Sequence, residues 1–180
     1  EYEVKELIQE VVRVKDAGIS RLDELFAEFK AKAEANGIKV HWAKTADDAN
    51  EIIARIAKDS NCRKVVKSKS MTAEETLLNH RLEKDGIEVT ETDLGEWIIQ
   101  LRHEGPSHMV MPAIHLSRYQ VAELFSQVTR QDQSSDIQRL VKVASRELRQ
   151  KYVEADMGIS GANFAIAETG TIGLVTNEGN

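Results

Sequence analysis

Lys64-Val-Val-Lys-Ser-Lys-Ser-Met-Thr-Ala-Glu-Glu75 is the stretch that decides the fold. A short β-branched run passes through a polar corner into Thr72-Ala-Glu-Glu75. The Thr-x-x-Glu spacing lets two side chains satisfy amides that a helix start leaves unpaired. The helix then runs through Leu77, Leu78 and Leu82 and stops at Gly86, and Ile87-Glu-Val-Thr90 follows as a second strand. Strand, helix, strand at this spacing predicts a right-handed βαβ unit. Upstream the alternation repeats. Ile38–Ala43 reads as a strand, and Thr45-Ala-Asp-Asp opens a helix with Ala49, Ile52, Ile53 and Ile56 turned inward. The expected class is α/β, with a mostly parallel sheet and helices on both faces.

Outward from this centre, residues 3–36 read as a helical arm. Val4, Leu7, Ile8, Val11 and Val12 fall on one helical face. Ile19, Leu22, Leu25, Phe26 and Phe29 resume it after Gly18, with Ser20 as an N-cap and Gly37 as the stop. Domain boundaries follow, with an arm over 1–36 and the α/β domain over 37–180. Leu94–Leu101 fits a strand or a short helix, and His108–Met111 is strand-like. Ser117-Arg-Tyr-Gln120 and Ser135-x-x-Gln138 each open a helix. The second of these carries Ile137, Leu140, Val141, Ala144, Leu148 and Tyr152 on one face.

The C-terminal stretch has a different composition. Five of the ten glycines lie between Gly158 and Asn180, and no Lys or Arg follows Lys151. Apolar runs Phe164–Ala167 and Ile172–Val175 flank Glu168-Thr-Gly-Thr171, which predicts a hairpin or one strand bent at Gly170. Glycine permits close approach of backbone or ligand, so the stretch reads either as a site surface or as a tight buried hairpin.

Composition narrows the function. A chain of 180 residues with 41% hydrophobic and 30% charged content is an ordinary soluble globular composition. Its net charge of −6 gives nucleic acid no bulk attraction. No apolar run approaches the roughly 20 residues that cross a bilayer. A single cysteine, Cys62, excludes an intrachain disulfide and a Cys-rich metal site, and it fits a reducing, cytoplasmic compartment. The chain lacks an initiator Met and stops just past an apolar run, so it reads as part of something longer.

Four constellations could carry chemistry. Lys67, Ser68, Lys69 and Ser70 occupy a strand-to-helix corner, where open α/β sheets bind ligands and helix amides favour anions. The bland alternative is solvated lysines beside a cap. Glu91-Thr-Asp-Leu-Gly-Glu96 offers three carboxylates; Glu96 begins an apolar run and so needs a buried partner, for which the corner lysines are candidates. Either that loop is solvated, or one carboxylate serves as an acid–base group. His108 and His115 flank Met109–Ile114 as candidate ligand-facing groups, while the five histidines show no metal-ligand spacing. Glu168, with Thr169, Gly170, Thr171 and Gly173, could recognise a phosphate, a carboxylate or a polyol, or form a self-satisfied corner.

Taken together, several blocks resemble the lactate-utilisation protein B family. They are Val66–Met71, Glu91–Leu101, Pro106-Ser-His108 with Pro112-Ala-Ile-His115, Ala155–Thr171 and Val175–Asn180. The resemblance covers nearly the whole chain, with the blocks in order. It implies a Rossmann-like layer related to the ribose-5-phosphate isomerase and CoA-transferase fold. It also implies a role in a multi-subunit complex that oxidises L-lactate to pyruvate, with the other subunits as partners. The family's 4Fe-4S clusters belong to a downstream Cys-rich region, so no cofactor is expected in these residues, and the sheet is expected to be incomplete after Asn180. The expected ligand is a small anion held by Lys67, Ser68, Lys69 and Ser70, with Glu96 and Glu168 as acid–base members. Two other readings stay open: an isomerase- or transferase-like enzyme on sugar phosphates or CoA esters, and a subunit-interaction module. Self-association also stays open.

Overall fold

The computed structural model describes residues 3–175. They form two compact units, one of residues 3–42 with Ala162–Val175 and the other of residues 43–161. In the first unit, α1 (Val4–Ser20) and α2 (Leu22–Ala35) make the helical arm. Ser20 does not cap α2: its hydroxyl donates to the Ala17 carbonyl, and Arg21 stands at the cap. At the far end of α2 the Ile38 amide donates to Ala33 O and the Gly37 amide to Glu34 O. This pair of bonds closes a helix terminus. Ile38 therefore completes the helix, and the strand expected over Ile38–Ala43 is absent. Phe26 and Trp42 pack ring to ring at 4.6 Å in this unit.

The second unit carries the sheet. Its elements run α3 (Ala46–Asp59), β1 (Lys64–Lys67), α4 (Met71–Glu75), α5 (Leu78–Lys84), β2 (Glu88–Glu91), α6 (Leu94–Arg102), α7 (Arg118–Thr129), α8 (Ile137–Glu154) and β3 (Met157–Ile159). The strands are parallel in the order β2-β1-β3, with Val65 level with Val89 on one side and Met157 on the other. The Asp156 carboxylate fixes the start of β3 by accepting from the Arg63 and Lys64 amides, and these bonds hold its pKa below the usual value. Chain direction therefore reverses its march across the sheet at β1, and all three C-terminal strand ends meet at one edge. The expected α/β class with flanking helices is what the chain adopts.

Two cores support this sheet. Ala54, Ala57, Val65, Leu78, Leu82, Ile87 and Val89 form one, from α3, α5 and the strands. Trp97, Ile98, Leu124, Phe125, Leu140, Ala144 and Leu148 form the other, from α6, α7 and α8. The α3 stripe is rotated from expectation: Asn50, Ala54 and Ala57 are buried, while Ile56 is exposed. Along α8, Val143 joins the core, whereas Ile137, Val141 and Tyr152 face solvent. Leu94–Leu101 resolves as helix, and Ser117 with Gln120 forms the expected capping box. Elsewhere a nearby residue takes the cap: Ser70 rather than Thr72 begins α4, and Asp136 rather than Ser135 begins α8. The single helix expected after Thr72 is broken at Leu77, whose φ of 55° is left-handed, and Asn50 Nδ2 takes the Thr76 carbonyl at the break. Residues 107–110 form a bend, and 108–111 contain no strand.

The hairpin returns to the first unit, with β4 (Phe164–Ile166) antiparallel to β5 (Thr171–Gly173). Its strands are exposed, but its turn is anchored on α2. Gly170 has φ +68°, and a Cβ there would sit 2.3 Å from Ala33 N. Asn36 Nδ2 also donates to Thr169 O. Most of the block Val175–Asn180 lies outside the described residues. Among the described residues, no helix is long and apolar enough to cross a membrane.

Candidate functional site

Because β1 and β2 run parallel and in register, Lys67 at the end of one lies level with Glu91 at the end of the other. Lys67 is 0% exposed, and its Nζ lies 2.9 Å from Glu91 Oε1. The two stand at ion-pair distance but outside hydrogen-bond geometry, so Lys67 Nζ has no directed acceptor. Two residues on, Lys69 Nζ lies 2.7 Å from Glu96 Oε1 and donates to Val110 O at 2.8 Å. Glu96 is 6% exposed, at the first turn of α6. A buried charge is tolerated when an opposite charge is beside it, and each corner lysine has one.

The surrounding polar groups hold these pairs in place. Asn79 Nδ2 donates to Glu91 Oε1 at 2.6 Å. Gln100 bridges the β2 edge, accepting from the Glu91 amide and donating to Val89 O. Asp93 Oδ2 accepts from the Lys69 amide, and Thr92 Oγ1 donates to Lys67 O. On the β3 side Ser68 Oγ donates to Ser160 Oγ at 2.8 Å. Gly161 then passes so close that a Cβ would meet Lys69 O and Ser70 Cβ at 3.3 Å. Ser70 spends its hydroxyl on the Ala73 amide as the cap of α4.

Next to this layer opens a cleft of about 390 Å³, lined by Glu74, Asn79, Glu91, Glu96 and Gln100 among others. Glu74 is half-buried there. Desolvation pushes its pKa up, the Lys67 charge opposes that rise, and the Glu96 and Glu91 carboxylates add to it. The bend after α6 closes one side of the cleft with Gly105, Pro106 and Pro112. His108 Nδ1 accepts from the Val110 and Met111 amides, so its role is to shape the bend that presents Val110 O to Lys69. His115 Nδ1 lies 2.8 Å from Ser107 Oγ and its Nε2 3.1 Å from Glu104 Oε2. Ser107 Oγ also donates to Pro112 O, which commits its one proton and leaves this trio a brace rather than a nucleophilic relay.

Among the expected site residues, Lys67, Ser68, Lys69, Ser70 and Glu96 come together at the carboxyl edge of the sheet. Glu168, Thr169, Gly170, Thr171 and Gly173 belong to the hairpin of the other unit, where Thr169 Oγ1 donates to Thr171 Oγ1 and Gly170 seats on α2. Glu74, Asn79, Gln100 and Ser160 were not singled out from sequence. Gln100 lies one turn beyond Glu96 on α6, and that spacing is the signal which could have found it.

The LUD domain family matches residues 26–180. The chain belongs to the LUD domain family. It is 46% identical over 162 residues to lactate utilization protein B of Oceanobacillus iheyensis, covering 90% of this chain and 34% of that protein. It is 40% identical over 168 residues to lactate utilization protein B 2 of Bacillus mycoides, covering 93% and 36%. It is 42% identical over 168 residues to an uncharacterized electron transport protein of Escherichia coli, covering 93% and 35%. This LUD domain chain thus spans about a third of the length of the curated relatives it matches. No solved structure matches it.

An iron–sulfur cluster does not fit the residues of this LUD domain. Its one cysteine, Cys62, is buried in the core beside Val65, where burial pushes the thiol pKa up. Cluster ligation requires several thiolates on one centre. Among the described residues no group of three or more His, Cys, Asp or Glu could hold a metal ion.

Proposed function

We propose that this LUD domain takes part in the oxidation of L-lactate to pyruvate within a cytoplasmic multi-subunit complex, seating the small carboxylate at the edge where β1 ends. The names of the relatives, lactate utilization protein B and an electron transport protein, support the pathway. Electron carriage by 4Fe-4S clusters would then fall to residues outside this chain, or to a partner subunit.

One observation carries the seat of the ligand: Lys69, nearly buried, lies at the carboxyl edge of a parallel sheet with its ammonium held in a fixed place. In such sheets ligands bind outside the C-terminal strand ends, where the strand order reverses. An ammonium has three donors. One goes to Val110 O, leaving the rest to divide between Glu96 and a ligand carboxylate. Ser68 gives its proton to Ser160 Oγ and Ser160 gives its own to Gly161 O, so these two hydroxyls offer acceptors for the hydroxyl of the ligand rather than donors for its carboxylate. Glu96 fixes Lys69 and would be the acid–base carboxylate of this seat. Lys67 belongs to the supporting layer, since its charge is spent on Glu91 below the surface. The loop from Glu168 to Thr171 enters this reading only as a joint of the hairpin on α2.

The proposal is tested by a chimera. Residues 26–180 replace the matching segment of the Oceanobacillus protein in a strain lacking its own copy, and growth on L-lactate is scored. The chimera should restore growth, and Lys69→Met with Glu96→Gln should remove it while the protein still accumulates. Growth unaffected by that pair would overturn the site.

A further inference from the structure

The helix α1 is open to solvent on every side. Each residue from Glu3 to Ala17 is exposed, and α1 buries none of its own. Val4, Leu7, Ile8, Val11, Val12 and Val14 are 46–71% exposed, and at helical spacing they form one apolar stripe. A helix of 17 residues without tertiary support is marginal in water. Monomeric proteins seldom leave a contiguous apolar stripe uncovered. The stripe also precedes Phe26, where the match to the LUD domain family begins, so it lies outside that domain.

The charges around the stripe decide what covers it. Glu3, Glu6 and Glu10 stand on the polar side, whereas helices that lie on anionic lipid carry Lys and Arg there. One charge, Lys15, falls inside the stripe. In a parallel, in-register pair of α1 helices Lys15 would meet its own copy. In an antiparallel pair it comes beside Glu3 and Glu10 of the second copy, which border the stripe near its other end. Its stem can lie along the apolar surface while the ammonium reaches those carboxylates. Lys5 and Asp16 share the opposite border, and the same arrangement brings Lys5 of each copy almost level with Asp16 of the other. We infer that a second copy of this chain covers the stripe, the two α1 helices packing antiparallel about a two-fold axis at Val11. Such an interface is isologous and closes on itself. Each stripe is about 25 Å long, short of what a standard interface needs, so the pair is reversible, with a dissociation constant in the micromolar range. The pairing is independent of the carboxylate seat.

Sedimentation velocity of the 180-residue chain from about 1 to about 300 µM reads the association. The expected result is a reversible monomer–dimer equilibrium. Val11→Glu should weaken it at least about tenfold, with unchanged circular dichroism. Well below the dissociation constant the same variant should keep the Tm of the parent, since α1 adds nothing to either core. Orientation is read by cross-linking with a short bismaleimide. Lys5→Cys mixed with Asp16→Cys should give a linked dimer, and Asp16→Cys alone should give far less; Cys62 is buried and does not compete. A monomer at every concentration would overturn the inference and leave the stripe to a different protein. Association untouched by Val11→Glu would overturn it by moving the contact to another surface, and cross-linking as complete with Asp16→Cys alone would overturn the antiparallel arrangement.

Discussion

Lys67 is a lysine whose whole side chain is removed from water, and Glu91 is the carboxylate that stands at ion-pair distance from it. Taking away one partner of such a pair leaves an uncompensated buried charge. Lys67→Met should lower stability by about 3–5 kcal/mol in urea denaturation, and Lys67→Met with Glu91→Gln should recover most of it. A double variant as unstable as the single one would show that the two do not act as a pair. Glu74 allows a pH test. Burial raises its pKa in the folded chain, so the protonated form favours folding. That contribution is fully present below the unfolded value near 4.5 and is lost as pH rises through the higher folded value. Glu74→Gln should therefore be the more stable protein at pH 7, by about 1–3 °C in Tm once solvent screening is allowed for. Its advantage should vanish near pH 4. At this scale the sequence shows which residue types stand at the corner, and that Glu96 needs a buried partner among the corner lysines. It does not show the pairing of Lys67 with Glu91, because that depends on strand register and not on local spacing.

Helix ends show where local reading succeeds and where competition defeats it. Ser117 and Gln120 form their box because no better cap stands nearby. Thr72 loses to Ser70, whose extended backbone places Oγ to accept from the Ala73 amide. Ser70→Ala should cost about 1 kcal/mol in thermal unfolding, against a few tenths for Thr72→Ala. The hairpin was legible from its apolar runs and Gly170, but its partner was not, since α2 lies far away in sequence. Gly170→Ala puts a Cβ onto the α2 backbone and an alanine into a left-handed conformation. A loss of more than about 2 kcal/mol is expected, read as faster amide exchange across β4 and β5. Exchange like that of the parent would mean the hairpin does not depend on this seat.

For the whole molecule, alternation of strand and helix made the α/β class readable, and the parallel order β2-β1-β3 carries it out. The strand expected after Gly37 failed because helix termination used Ile38 first. The amphipathic face of the arm was also legible, yet α1 buries none of it: Val4, Leu7, Ile8, Val11 and Val12 are 46–71% exposed. Val11→Glu should consequently change Tm of the chain by less than about 1 °C, since no core contact is lost. The functional reading rests on a smaller area, the carboxyl edge of the sheet. The most direct measurement is calorimetric titration of pyruvate and L-lactate into the chain and into Lys69→Met with Glu96→Gln. Saturable binding by the parent that falls at least about tenfold in the neutral pair, with circular dichroism unchanged, is the predicted result. Equal binding by both proteins would contradict the seat at Lys69.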